Sequence, residues 1–242
     1  MNIGVIFAGG VGKRMNSRVK PKQFINVYGK PIIIHTLEIF ENHEEIDAIV
    51  VACLESWIPY LEELLQKYNI HKVVKVVPGG ASGQESIYNG LVAAEEAAAG
   101  ERSIVLIHDG VRPLINAKTI SDNIASVKEH GSAITSVKVK ETVLVVSEDN
   151  SIDSVPKRED TRLARAPQSF YLDEILAAHR RSMEEQLPGF IDSCSLMQYY
   201  GKKLYLIEGP QENIKITTPD DFYTMRALLD AKEEAQIYGL EE

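Results

Sequence analysis

Short apolar runs that alternate with amphipathic stretches constrain this chain more than any other feature. Residues 3–7, 48–52, 73–77 and 104–108 are brief, nearly continuous hydrophobic segments bounded by turn formers, as strands buried on both faces require. Residues 32–42, 57–68, 84–99 and 117–130 carry apolar side chains at helical spacing. Strand, helix and strand in this order close through right-handed crossovers. The order therefore predicts a mostly parallel, twisted sheet with helices on both faces. The 242 residues are read as a single domain, because no repeat, low-complexity tract or linker divides them.

Open α/β sheets bind ligands beyond the carboxyl ends of their strands. That rule directs attention to the loops after residues 7, 77 and 108. They read Ala8-Gly9-Gly10-Val11-Gly12-Lys13-Arg14-Met15, Pro78-Gly79-Gly80-Ala81-Ser82-Gly83 and Asp109-Gly110-Val111-Arg112-Pro113. Glycines let a backbone approach a ligand closely, and a helix N-terminus presents amides to an anion. By itself such a loop signals only a tight turn. It matches neither the dinucleotide pattern GxGxxG nor the P-loop GxxxxGK[ST], which disfavours both of those classes.

Charge narrows the choice of ligand. With 35 acidic against 26 basic residues the net charge is -9, which argues against general nucleic-acid binding through a basic face. A phosphate ligand would need local cations, and Lys13, Arg14 and Lys22 cluster near the first loop. Cys53 and Cys194 have no metal-ligand spacing and read as reduced, buried thiols. The first apolar run is too short for a signal segment, and nothing approaches the ~20 apolar residues of a membrane span. A cytoplasmic location is expected, with no membrane partner.

The alternation breaks over residues 136–158. Val137, Val139, Val143, Val145 and Ile152 sit there among polar residues around Asp149-Asn150-Ser151. Period two with a central turn predicts a projecting antiparallel hairpin arm. Because an isolated two-stranded hairpin is marginally stable, its apolar face calls for a partner, and a two-fold homodimer supplies one. Helices over 172–185 and 192–200, a strand over 203–208 and a helix from Pro219 to about 237 complete the chain. Thr218 reads as the cap of the last helix, ahead of Asp220 and Asp221.

Taken together, Ala-Gly-Gly-x-Gly-x-Arg-Met, then Pro21-Lys22-Gln23-Phe24, then Gly29-Lys30-Pro31 resemble the N-terminal pattern of sugar-phosphate nucleotidyltransferases. Pro-Lys-Gln points to the cytidylyltransferase branch. The likeness continues through Gly79-Gly80, Ser86-Ile87-Tyr88-Asn89-Gly90-Leu91, His108 to Pro113, Ala166-Pro167-Gln168-Ser169-Phe170 and Asn213 to Pro219. The chain thus resembles the family that contains the cytidylyltransferases of ribitol 5-phosphate and 2-C-methyl-D-erythritol 4-phosphate. The resemblance implies a Rossmann-like nucleotidyltransferase (GT-A-like) fold, CTP and a polyol phosphate as substrates, Mg2+ as cofactor and a homodimer joined through the arm.

Carried over position by position, the resemblance implies that Ala8, Gly9, Gly10, Gly12, Arg14 and Lys22 hold the triphosphate. Gly79 and Gly80 would lie against cytosine, and Ser86 would contact cytidine. Asp109 would bind Mg2+; Arg112, Thr142 and Arg158 would hold the polyol phosphate, with Arg158 reaching the partner subunit's site. Lys215 would join Lys22 and Arg14 in stabilising the α-phosphate. A compact lysine charge suits that task, and a lysine in a strand-like segment is awkward to bury without a ligand. His108 is not needed as a base, since a phosphate monoester is already anionic, and is read as structural.

Gly83, Ala166 and Ile191 depart from the family pattern, which has arginine at the first position and threonine at the other two. The last two lie near the expected acceptor pocket, so the acceptor is the less determined half. Asp109-Gly110-Val111-Arg112-Pro113, Glu55-Ser56-Trp57-Ile58 and Asp192-Ser193-Cys194 favour ribitol 5-phosphate over 2-C-methyl-D-erythritol 4-phosphate. A catalytically silent nucleotide-binding homologue is a rival, and retention of both lysines and Asp109 argues against it. A Rossmann oxidoreductase is a second rival, disfavoured by the missing fingerprint.

Overall fold

The computed structural model describes residues 1–10 and 20–238. The first half contains β1 (Asn2–Ala8), a 3-10 turn (Lys22–Phe24), β2 (Asn26–Val27), β3 (Lys30–Pro31), α1 (Ile32–Glu41), β4 (Ala48–Cys53), a 3-10 turn (Glu55–Trp57), α2 (Ile58–Lys67), β5 (Val73–Pro78), α3 (Gly83–Ala98) and β6 (Ile104–Asp109). The second half adds α4 (Ala117–His130), β7 (Ser132–Lys138), β8 (Val145–Val146), β9 (Ile152–Ser154), a 3-10 turn (Arg158–Asp160), β10 (Arg162–Tyr171), α5 (Leu172–Glu184), α6 (Ser193–Tyr199), β11 (Leu206–Glu208) and α7 (Pro219–Tyr238).

Seven strands form one sheet in the order β11-β7-β10-β6-β1-β4-β5. The pairs of β1 with β4 and β6, β4 with β5, and β11 with β7 are parallel; β10 runs antiparallel to both of its neighbours. The continuous apolar runs of β1, β4 and β6 are explained by burial on both faces; β5, at the sheet edge, is only partly covered, and Val74 is exposed. Along β1, Ile6 and Ala8 join the core under α1, α2 and α4, while Ile3 and Val5 join the core under α3, α5 and α6. Along β6, Leu106 and Val105 divide in the same way.

Helix ends follow local chemistry. Ser82 caps α3 by accepting from the Glu85 N–H at 3.1 Å, and the Glu85 carboxylate reaches back to the Ala81 N–H at 2.7 Å. At α7 the Asp221 carboxylate accepts from the Thr217 and Thr218 N–H groups at 2.8 and 2.7 Å, so the third helical residue caps the start predicted at Thr218. Among the described residues no helix is long and apolar enough to cross a membrane.

The arm differs from its expected bounds. Residues 132–138 belong to β7 in the main sheet, where Val137 is buried, and Val139 just beyond is buried too. The separate two-stranded ribbon is only β8 with β9, turning at Asn150, whose φ is 65°. Alternation alone does not say which neighbour a strand pairs with, so Val137 read equally well as ribbon or core. The reversed strand β10, Arg162–Tyr171, was not foreseen as an element.

Two buried histidines make stability depend on pH. His179 is 2 % exposed, and burial pulls its pKa from 6.5 to about 4. His108 is likewise pulled to about 4, chiefly by burial. Both are neutral in the folded chain and take up a proton more readily when unfolded. Their contribution is complete above pH 6.5 and is lost as pH falls from there towards 4. Urea denaturation should show a midpoint that falls through that window, and His179→Leu should remove up to about one proton from the slope.

Candidate active site

A cleft of about 550 Å3 opens at the carboxyl ends of the parallel strands. It is lined by Ala8 at the end of β1 and Gly9 and Gly10 after it, by Gly80 to Gly83 and Ser86 around the start of α3, by Asp109 at the end of β6, and by Lys22, Gln23, Lys215 and Thr217. Eight of the residues expected to act therefore converge: Ala8, Gly9, Gly10, Lys22, Gly80, Ser86, Asp109 and Lys215. Gly12 and Arg14 lie outside the described residues. A smaller cavity of about 360 Å3 between α3 and α5 is lined, among the described residues, by no lysine or arginine, so a triphosphate would find no counter-charge among them there.

Close approach explains Gly9 and Gly79. A Cβ on Gly9 would stand 2.7 Å from Ser86 Oγ, and one on Gly79 would stand 3.0 Å from Gly9 Cα. The two glycine loops pack against each other, which brings Gly79 to the cleft wall without its lining the open space. The Ser86 hydroxyl accepts from the Gly80 N–H at 3.0 Å and donates to the Ser82 carbonyl at 2.9 Å. It ties α3 to the loop as well as facing the cleft.

Asp109 is the electrostatic centre. It is 5 % exposed; its Oδ2 accepts from Arg112 Nε at 2.7 Å and its Oδ1 lies 2.6 Å from Lys215 Nζ. Burial opposes the charge, but the Lys215 and Arg112 cations outweigh it and hold the carboxyl below its usual range. Asp109 is therefore an anion at neutral pH. Arg112 also donates to the Asn213 carbonyl at 2.9 Å, and Asn213 Nδ2 donates to the Ala166 carbonyl at 2.7 Å.

Lys215 departs from the strand-like setting expected of it: it lies in a loop between β11 and α7, its side chain is 40 % exposed and Asp109 compensates it. His108 is fully buried, with Nε2 donating to the Arg112 carbonyl at 3.1 Å, a structural role as expected. Near Lys22, burial opposes ionisation of Asp221, but hydrogen bonds from Thr218 and Thr217 and the Lys22 cation keep its carboxyl below the usual range. Thr217, just ahead of α7, lines the cleft on this side.

Of the expected acceptor residues, Arg112 joins this group through Asp109, while Thr142 and Arg158 separate from it. Arg112 is buried against Asp109. Thr142 and Arg158 are brought together, with Arg158 Nη2 donating to Thr142 Oγ1 at 3.3 Å, but both are exposed at the base of the ribbon and neither lines the cleft. Of the departures, Gly83 borders open space where a Cβ would meet nothing within 4 Å, Ala166 is buried, and Ile191 is 92 % exposed. Sequence reasoning missed Gln23 and Asn213 as organisers. Both stand in the quoted motifs, and it is their buried side-chain bonds to distant carbonyls that reveal the role.

Glycine loops at parallel strand ends, facing two lysines and an ionised carboxylate, define a nucleotidyltransferase. The crystal structure of 4-diphosphocytidyl-2C-methyl-D-erythritol synthase from Anaerococcus prevotii superposes with a TM-score of 0.82 at 26% identity, covering 95% of this chain and 96% of that one. The sequence profile of the 2-C-methyl-D-erythritol 4-phosphate cytidylyltransferase family matches residues 3–231, and the chain belongs to that family. The chain is 55% identical over 240 residues to ribitol-5-phosphate cytidylyltransferase of Streptococcus agalactiae serotype III, covering 99% of this chain and 100% of the relative. It is 39% identical over 229 residues to 2-C-methyl-D-erythritol 4-phosphate cytidylyltransferase of Clostridium botulinum strain 657, covering 95% and 97%.

Lys22→Ala and Lys215→Ala should each lower kcat/KM for CTP by at least ~100-fold, about 2.7 kcal/mol of transition-state stabilisation. Steady-state kinetics on folded variants checks this; near-normal turnover in either would remove that lysine from the reaction.

Proposed function

We propose that the protein transfers CMP from CTP to D-ribitol 5-phosphate, forming CDP-ribitol and releasing pyrophosphate. The observation that carries the nucleotide half is the convergence of the glycine loops, Lys22 and the Lys215–Asp109 pair in one cleft. For the acceptor, support comes from the higher identity to ribitol-5-phosphate cytidylyltransferases, 55% and 53% against 39% for the methylerythritol relatives.

An oxygen of the acceptor phosphate attacks the α-phosphorus of CTP in line, and the bond to the β-phosphate oxygen breaks. No protein nucleophile is required, because the attacking oxygen is already anionic; the chain's own contribution is orientation and charge neutralisation. Lys22 and Lys215 supply compact positive charge at the phosphates, with Arg14 expected to add a third cation. Amides of Ala8, Gly9 and Gly10 cradle the triphosphate, with Gly12 expected to join them, while Gly79, Gly80 and Ser86 face the cytidine.

The residues fit a Mg2+ ion. Asp109 is held ionised at the cleft, and its oxygens have acceptor capacity beyond the bonds to Lys215 and Arg112. Mg2+ needs only one or two carboxylates when substrate phosphates and water complete its shell. When bound it would neutralise phosphate charge and fix the orientation of phosphate oxygens.

Pyrophosphate release over a panel of polyol phosphates and nucleotides tests the reading. CTP with D-ribitol 5-phosphate should give the highest kcat/KM. Preference for 2-C-methyl-D-erythritol 4-phosphate, or equal use of UTP at low concentration, would overturn it.

Assembly completes the proposal. Val146, Ile152 and Val155 are exposed on and beside the ribbon, an apolar face that a second copy would cover in a two-fold dimer. Such a dimer would carry Thr142 and Arg158 to the partner's acceptor pocket, where the arginine fork can hold a phosphate bidentately. Mixing Arg158→Ala with Lys22→Ala subunits should then restore some activity, because one site of each heterodimer keeps both residues. A fully active monomer in sedimentation, or no recovery despite demonstrated subunit exchange, would end the shared-site reading.

A further inference from the structure

Lys22, Gln23 and Phe24 form a single 3-10 turn behind Pro21, closed by the Phe24 N–H donating to the Pro21 carbonyl at 2.9 Å. With three residues per turn, consecutive side chains leave such a turn roughly 120° apart. Here the three directions do different things. Phe24 is buried and stacks on Trp57, with centroids 4.9 Å apart and planes 17° apart, and Tyr60 meets its edge at 5.5 Å. Lys22 lines the cleft. Gln23, only 1 % exposed, donates from Nε2 to the Ala8 carbonyl at 2.6 Å and lies 3.3 Å from the Gly10 carbonyl.

Those two carbonyls belong to the segment that must present amides, not oxygens, to a triphosphate. A peptide carbonyl turned into the cleft would put a partial negative charge against phosphate oxygens. The Ala8 carbonyl is buried, and a buried carbonyl without a donor is itself costly, so the donor that satisfies it also decides where it points; Gly10 is exposed, and its carbonyl makes the longer, part-buried contact with the same amide. We propose that Gln23 is a positioning residue for CTP: its amide holds the Ala8 and Gly10 carbonyls out of the cleft, so that the loop amides face the triphosphate while the same turn aims Lys22 at it. This rests on the nucleotide half of the proposed function and not on the acceptor.

The test uses Gln23→Met and Gln23→Glu in the full-length protein. CTP binding is read by titration calorimetry, so the result does not depend on which acceptor is used. Gln23→Met keeps the volume and removes the donor; it should weaken CTP binding about tenfold, while KM for the acceptor stays within twofold. Gln23→Glu keeps the shape but directs a carboxylate at two carbonyls. Among the described residues, the charged groups lining that cleft are Lys22, Asp109 and Lys215. Burial and the facing carbonyls raise the new carboxyl's pKa, so it regains a proton, and with it a donor, as pH falls. The affinity of Gln23→Glu relative to the unsubstituted protein should therefore recover on going from pH 8 to pH 5.5. A packing role alone would give no such recovery. CTP affinity within twofold of normal in both variants, or a relative affinity of Gln23→Glu that stays flat or falls with decreasing pH, would overturn the proposal.

Discussion

The Asp109 carboxylate, buried at the end of a central strand between Arg112 and Lys215, is the interaction on which the rest of the site depends. A lone buried charge would be untenable, and removing one partner of such a group typically costs about 3–5 kcal/mol because the other is left uncompensated. The carboxylate therefore dictates where two cations sit. Arg112 turns inward and fastens the segment at Asn213; Asn213 in turn fastens β10 at Ala166. Lys215, on the open side, keeps its ammonium partly exposed where a phosphate can share it. One ion cluster thus joins the parallel core, the reversed strand and the approach to α7.

Around that anchor the nucleotide half is built from backbone. Two glycine loops in mutual contact, one after β1 and one before α3, make a wall that a Cβ at Gly9 or Gly79 would disturb. Ser82, Glu85 and Ser86 bond that wall to the first turn of α3. The residues proposed for the acceptor are placed differently. Thr142 and Arg158 sit on exposed chain beside the two-stranded ribbon, and Ile191 projects into solvent. A close-packed glycine wall and an exposed ribbon base, if they serve the nucleotide and the acceptor as proposed, suit an enzyme class in which the donor is constant and the acceptor changes among relatives.

Much of this was legible in the chain. Four apolar runs announced parallel strands, three of them buried on both faces as continuous hydrophobicity suggests and the fourth, β5, a partly covered edge, and α4 spans Ala117–His130, the residues its spacing gave. The glycine loops, Lys22, Asp109 and Lys215 were legible as well, through motifs whose composition has a chemical reason. The arm's lower bound was not, since Val137 and Val139 alternate whether they face a ribbon or the core. Nor was β10, whose Arg162-Leu163-Ala164-Arg165 start carries no clear strand pattern and whose pairing comes from β7 and β6.

The sequence by itself determined the layer architecture, the helix caps and the residue types at the strand ends, because those follow from local periodicity, turn chemistry and the need to bury apolar surface. Only the tertiary structure decided that Asp109 neutralises Lys215 across a hundred residues, that Gln23 holds the carbonyls of a loop more than ten residues before it, and that Asn213 ties Arg112 to Ala166. Each of these is a bond between a side chain and a group remote in sequence. Its partner is chosen by which strands lie side by side, and no local pattern encodes that order.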